Sequence, residues 1–165
     1  MRKLILGIAT ACIFTACKTP AGDAGPSAME KNKQTALAVE MAFNKHDADG
    51  VFKNCSSDFV DYGNGGHKAM KNIDSMKIDM KNFMFAFPDF KVEDLVAYAD
   101  SSSVVVLGNW SGTFRGEYMN MSPTNKSYKS PDADIYTFNK DGKITSHKSI
   151  QSDATFTSQL SIPTN

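Results

Sequence analysis

Two periodicities divide the chain. Between 27 and 87 apolar positions recur every three or four residues, the spacing of one helix face. From 91 onward they recur every second residue, the spacing of a strand. Ser27-Ala28-Met29-Glu30 fits a capping box and predicts a helix to about Lys45, with Ala36, Val39 and Phe43 on one face and Leu37 and Met41 beside them. Asp47-Ala48-Asp49-Gly50 reads as a loop between helices, and 51–55 as a short second helix. A short strand is expected at 59–62, then a turn at Gly63-Asn64-Gly65-Gly66. The clearest helix spans 68–87, with Met70, Ile73, Met76, Met80, Phe83, Met84 and Phe87 on one side and Lys71, Asp79 and Asn82 on the other. Pro88 ends it. Candidate strands follow at 91–98, 104–114, 128–139 and 143–151. Asp100-Ser101-Ser102-Ser103 and Asp141-Gly142 mark turns, the second a strong hairpin signal. A helical turn at 154–160 closes the pattern. Helices followed by a run of antiparallel strands predict an α+β fold, a curved sheet wrapped on helices.

The first seventeen residues stand outside this pattern. Arg2 and Lys3 precede an uncharged run of eleven residues at 4–14. A bilayer core needs about 20 apolar residues, so the run reads as a secretory signal and not as a span. Phe14-Thr15-Ala16-Cys17 resembles the lipobox of bacterial lipoproteins. That resemblance implies cleavage before Cys17 and a lipid on its sulfur; ordinary signal cleavage would instead release a free secreted protein. With the anchor, 1–16 is a lipoprotein signal peptide and 17–26 a flexible tether rich in Gly, Ala and Pro. The folded domain then starts at 27, and the location is the bacterial cell envelope, at the outer membrane facing the periplasm. Lys18, after the lipobox, is not the Asp associated with inner-membrane retention.

Composition narrows the picture further. The 165 residues suit one domain, and 41% hydrophobic with 22% charged residues excludes wholesale disorder. Eighteen basic residues balance eighteen acidic ones, so no basic footprint points to nucleic acid. Once Cys12 leaves with the signal and Cys17 is lipidated, Cys55 stands alone, without a disulfide partner. It reads as a small packed residue.

Several short motifs carry a family resemblance. Asn44-Lys45-His46-Asp47-Ala48-Asp49-Gly50 followed by Asp58-Phe59-Val60 resembles the opening helix and first strand of SnoaL-like proteins of the NTF2-like superfamily. Phe87-Pro88-Asp89-Phe90 resembles that family's link into the main sheet. Gly112-Thr113-Phe114-Arg115-Gly116 and Pro123-Thr124-Asn125-Lys126 resemble its long inter-strand connection. Asp134-Ile135-Tyr136-Thr137-Phe138 and Asp141-Gly142-Lys143-Ile144 resemble its final hairpin. The likeness spans 29–160. It implies an NTF2-like cone, with N-terminal helices packed on a strongly curved antiparallel sheet. It also implies a pocket for a small apolar or amphipathic molecule, and frequently a homodimer. Relatives include polyketide cyclases, ketosteroid isomerases and dehydratases, which implies isomerase, cyclase or dehydratase chemistry without a cofactor as the alternative to ligand binding alone. One departure stands out: Lys148-Ser149 occupies the place where many such enzymes carry Trp-Asp.

The Asp141-Gly142 turn sets a register for the last hairpin. A two-residue turn places Tyr136 opposite His147, Asp134 opposite Ser149 and Asp132 opposite Gln151, all on one face with Phe138. Ala133, Ile135, Ile144 and Ile150 lie on the other. Asp134 is diagonal to His147, within side-chain reach. The two form a candidate acid/base pair, with Tyr136 as a donor to a developing enolate. The alternative turns the aliphatic face inward and the polar face to solvent or a partner. Trp110, Met80 and Met84 are candidate ligand-binding residues, Met because it adapts to irregular shapes. His46 and His67 lie near loops and share no ligand spacing, and no metal site is expected. The frame ending at Gly50 fails as a calcium loop, since Lys45 and Ser56 fall on ligand positions. No Gly-x-Ser-x-Gly elbow or Cys-His signature occurs.

Overall fold

The computed structural model describes residues 27–65 and 68–162. The signal, the tether, Cys17 and His67 lie outside them. Among the described residues no helix is long and apolar enough to cross a membrane.

Helix α1 (Ala28–Asn44) starts where the capping box places it, with the Ser27 side chain accepting from the Glu30 N–H. Its buried positions are Asn32, Ala36, Val39, Glu40 and Ala42, while Met41 is exposed. Helix α2 (Ala48–Phe52) begins inside the segment expected to be loop, because Asp47 caps it through the Gly50 N–H. Strand β1 (Cys55–Asp61) follows. Helix α3 (Ile73–Ala86) is capped by Asn72 and starts later than the periodicity predicts. Met70, at helical spacing, instead pairs with Asp61 in an isolated bridge. Strands β2 (Lys91–Ala99), β3 (Ser103–Thr113), β4 (Ser127–Phe138) and β5 (Ile144–Ser149) fall close to the predicted positions, and helix α4 (Asp153–Leu160) closes the fold.

The α+β class holds, but the strongly curved antiparallel cone does not. The five strands form one sheet in the order β1-β5-β4-β3-β2, with β1 and β2 as its edges. The two edges do not pair, so the sheet is open. Nor is it wholly antiparallel: β1 runs parallel to β5. Adding the first strand beyond the last widens the sheet at that edge in place of curling it into a closed wall.

Helix α1 lies across β2 and β3. Asn44 at its end fixes that placement, donating to the Val92 carbonyl at 2.9 Å and accepting from the Val92 N–H at 2.7 Å. His46 Nε2 lies 3.2 Å from the Phe90 carbonyl, so this histidine ties the helix end to the sheet. Two apolar clusters result. One gathers Val39, Phe52, Met76, Met84, Val104 and Tyr136 between the helices and the sheet. The other gathers Phe87, Phe90, Trp110, Phe114, Tyr128 and Leu160 toward α4.

Candidate functional site

The β4–β5 hairpin keeps the register the turn sets over most of its length. Tyr136 faces His147 and Asp134 faces Ser149. A shift beyond Thr137 then pairs Phe138 with Ile144, and Ile144 turns inward, 1% exposed. The polar face is therefore the inner face. Asp134 and Tyr136 are buried, while Ile150 is 61% exposed, so the arrangement with the aliphatic face inward does not occur.

His147 is held from both sides. Its Nε2 lies 3.0 Å from Asp134 Oδ1 and its Nδ1 lies 3.0 Å from Asp61 Oδ1. Asp61 reaches it because β1 pairs parallel with β5, which places Asp61 beside His147. Burial disfavours the imidazolium, but the hydrogen bonds and charges of Asp134 and Asp61 outweigh it and hold His147 well above its ordinary value. Burial also acts on Asp61, where the His147 hydrogen bond and charge prevail and the carboxyl is lowered. Asp134 moves the other way: burial dominates, His147 only partly offsets it, and its carboxyl is raised. Asp132 is tied down beside them, accepting from Ser149 Oγ at 2.6 Å and from the Ala133 and Ile150 N–H groups.

A second buried pair backs this cluster. Tyr136 donates to Glu40 Oε1 at 2.6 Å, and its ring centroid lies 5.2 Å from that of His147. Its hydroxyl proton is thus directed at Glu40 on α1. Glu40 is fully buried and its Oε2 has no partner. Burial and the nearby Asp134 charge push its carboxyl up to about 8. Burial and Glu40 likewise keep Tyr136 well above its ordinary value.

Two cavities meet at His147 and Asp61. The inner one, about 70 Å³, is apolar and includes Val39, Phe59, Cys55 and Tyr136 in its wall. Burial pushes the Cys55 thiol up to about 12, so it stays protonated and is no nucleophile. The outer one is a cleft of about 310 Å³, with Asp134, His147 and Ser149 on its floor and aromatic side chains around it. It lies open at one side between the helices and the sheet face. The cavity between helices and sheet is thus an open cleft and not the enclosed pocket of a closed cone. Trp110 and Met80 line it. Met84 does not; it packs in the core among Met76, Val104 and their neighbours. Among the described residues no group of three or more His, Cys, Asp or Glu side chains has a metal-holding arrangement.

The comparisons with known proteins agree with this geometry. A family model described as SnoaL-like polyketide cyclase matches residues 33–160. The chain belongs to that family. This SnoaL-like domain is also similar to several solved structures. AclR of Streptomyces galilaeus, described as a candidate hydroxylase, is 25% identical, with 83% of this chain and 89% of that one covered and a TM-score of 0.69. A candidate SnoaL-like polyketide cyclase from Jannaschia is 16% identical over 87% of this chain and all of that one, with a TM-score of 0.74. An epoxide hydrolase of the LEH-like kind from M. tuberculosis is 15% identical, with 81% and 92% covered and a TM-score of 0.64. No curated protein matches the chain.

The sequence pointed to Asp134, His147 and Tyr136, and the SnoaL-like fold brings all three together. It also adds Asp61 and Glu40. Glu40 carried a signal, since a charged residue at the spacing of Ala36 and Phe43 belongs to the apolar face of its helix. Asp61 carried none, because its role depends on a parallel pairing between strands distant in sequence.

Proposed function

We propose that this SnoaL-like domain binds a small amphipathic molecule in the open cleft and moves a proton on it by general acid–base catalysis. The observation that carries the reading is His147, bonded at both nitrogens by Asp134 and Asp61 where the two cavities meet. Asp134 Oδ1 is engaged by His147, and no hydrogen bond occupies its Oδ2. That oxygen takes a proton from a carbon next to a substrate carbonyl, and the electron pair moves to the carbonyl oxygen. The charged imidazolium beside it stabilises the resulting enolate. Burial raises the Asp134 carboxyl and makes its carboxylate a stronger base than an ordinary aspartate.

The reaction class can be tested before the substrate is identified. Deuterium exchange next to the carbonyl of a bicyclic aromatic ketone, followed by NMR in D2O, reads proton abstraction alone. Wild-type protein should accelerate exchange, and Asp134→Asn should lose about 10²-fold or more of that rate. Equal rates in both proteins would remove Asp134 as the base.

The N-terminal residues support a separate reading: export through 1–16 and lipidation of Cys17 at the bacterial outer membrane. Replacing Cys17 by Ser should then move the expressed protein from the membrane fraction to the soluble periplasm. Retention in the membrane fraction would sink the anchor. The family resemblance further supports a homodimer, which sedimentation equilibrium reads directly.

A further inference from the structure

The charges around the cleft are segregated in a way the whole chain is not. Basic and acidic residues balance overall at eighteen each. Yet Asp61, Asp79, Asp132 and Asp134 line the cleft, and among the described residues no Lys or Arg does. His147 is the one basic group among them. Four carboxyl groups thus face one cavity with a single imidazole among them. Among the described residues the charges acting on Asp134 are those of His147, Asp132 and Asp61, of which the imidazolium alone is positive.

Asp134 also turns an acceptor toward the cleft. The residue is 5% exposed and lines the cleft, and the hydrogen bond it makes to His147 uses Oδ1. Oδ2 is not among the fully buried oxygens that lack a partner, so it meets the cavity and can accept from a donor that enters it.

The cleft walls match a cation as well. Phe43, Phe83, Phe90, Trp110, Tyr118 and Tyr128 line it. Phe83 meets Phe90 and Tyr118 edge to face, at 5.0 Å and 5.7 Å between centroids, which makes a continuous aromatic wall. The Asp79 and Asp132 carboxylates line the same cleft as Tyr118 and Tyr128; burial raises both phenols, and these charges add to it. Aromatic faces attract cations through their quadrupole, and they do so more strongly where water is excluded.

We propose that the ligand of this cleft carries a cationic amine on an apolar or aromatic body. The ammonium sits between the aromatic wall and the Asp79, Asp132 and Asp134 carboxylates. The proposal rests on the reading of the cleft as a small-molecule site and specifies which molecules it takes. A neutral hydrocarbon of the same shape fills the same volume but leaves the carboxylates facing one another. An anion is repelled.

Matched probes separate the two ideas. Trp110 is the only Trp in the chain and lines the cleft, so its fluorescence reports occupancy. Benzyltrimethylammonium and neopentylbenzene share one shape and differ by one charge. The cation should bind at least about tenfold more tightly than the isostere, with an affinity that falls as salt rises. Asp79→Asn, an exposed substitution on α3, should weaken the cation about threefold or more and leave the hydrocarbon unchanged. Equal binding of both probes would overturn the cationic specificity while the small-molecule reading stands. Binding of neither would overturn both. A response to the cation that Asp79→Asn and Asp132→Asn together leave unchanged would also overturn it.

Discussion

Replacing Glu40 by Gln should make the protein markedly more stable in alkaline solution and flatten its dependence on pH. Glu40 is fully buried, and only one of its oxygens has a partner, the Tyr136 hydroxyl. Burial and the Asp134 charge raise its carboxyl from the ordinary 4.5 to about 8. Between those values the folded chain keeps a proton that the unfolded chain has already lost. The sign follows: the stabilisation is whole below pH 4.5 and is lost as pH rises through about 8. Each pH unit is worth about 1.4 kcal/mol, so the interval is worth about 5 kcal/mol in all. Gln keeps an oxygen for Tyr136 and has no proton to lose. Urea unfolding of both proteins from about pH 5 to about pH 9 measures the difference. The two should be close in stability near pH 5, with the variant more stable by about 4 kcal/mol near pH 9. His147 contributes a slope of the same sign in both proteins, because its folded value is also raised, and to first order it cancels in the comparison. Parallel pH profiles would show that Glu40 is ionised in the fold, and the argument from its burial would fail.

Three other perturbations address separate parts of the structure. Asp61→Asn removes one of the two carboxylates on His147, so the imidazole titration followed by NMR should move down toward 6.5. The stability tied to that proton should then be lost at lower pH than in the wild type, and an unmoved titration would deny the contact. The Cys55 thiol, pushed up to about 12, should resist a disulfide reagent near neutral pH in the folded protein and react in urea; fast labelling of the native state would contradict its burial. Gly50→Ala would drive a Cβ into the carboxyl of Asp47, the side chain that caps α2. Loss of that cap should cost about 1–2 kcal/mol, seen as a lower urea midpoint with an unchanged slope.

What was legible in the sequence was what local chemistry fixes. Ser27 caps α1 through the Glu30 N–H as the spacing requires, while the Glu30 side chain turns to Lys33 and Gln34 instead of reaching back. The Asp141-Gly142 turn sets the hairpin register, and through it the meeting of Tyr136, Asp134 and His147. The errors arose where a local pattern competes with a distant partner. Met70 has helical spacing, but its backbone is claimed by Asp61. Strict alternation puts Ile144 on the face opposite Asp134, and one shifted residue in the hairpin buries both. Met84 shares the stripe of Met80 on α3, yet the core covers Met84 and leaves Met80 at the cavities. A period of two identifies strands but carries no information on how far their sheet bends. The cone came from resemblance alone, and the edge position of β1 removes it.

That edge position also sets the electrostatics of the site. The strand that widens the sheet is the one that delivers Asp61 to His147. A hairpin alone would give His147 one carboxylate, and burial would pull against that single attraction. With Asp61 on Nδ1 and Asp134 on Nε2, two attractions oppose one desolvation, and the imidazole holds its proton well above its ordinary value. The three groups then differ: His147 is held toward its charged form, the Asp61 carboxyl beside it is lowered, and the Asp134 carboxyl is raised by burial, which in the proposed mechanism makes it the group that exchanges a proton. If the proposed mechanism holds, removing Asp61 should therefore weaken stabilisation of the enolate without removing the base, whereas removing the Asp134 carboxylate removes the base itself. The openness of the sheet and the charge held on His147 are two consequences of one strand pairing.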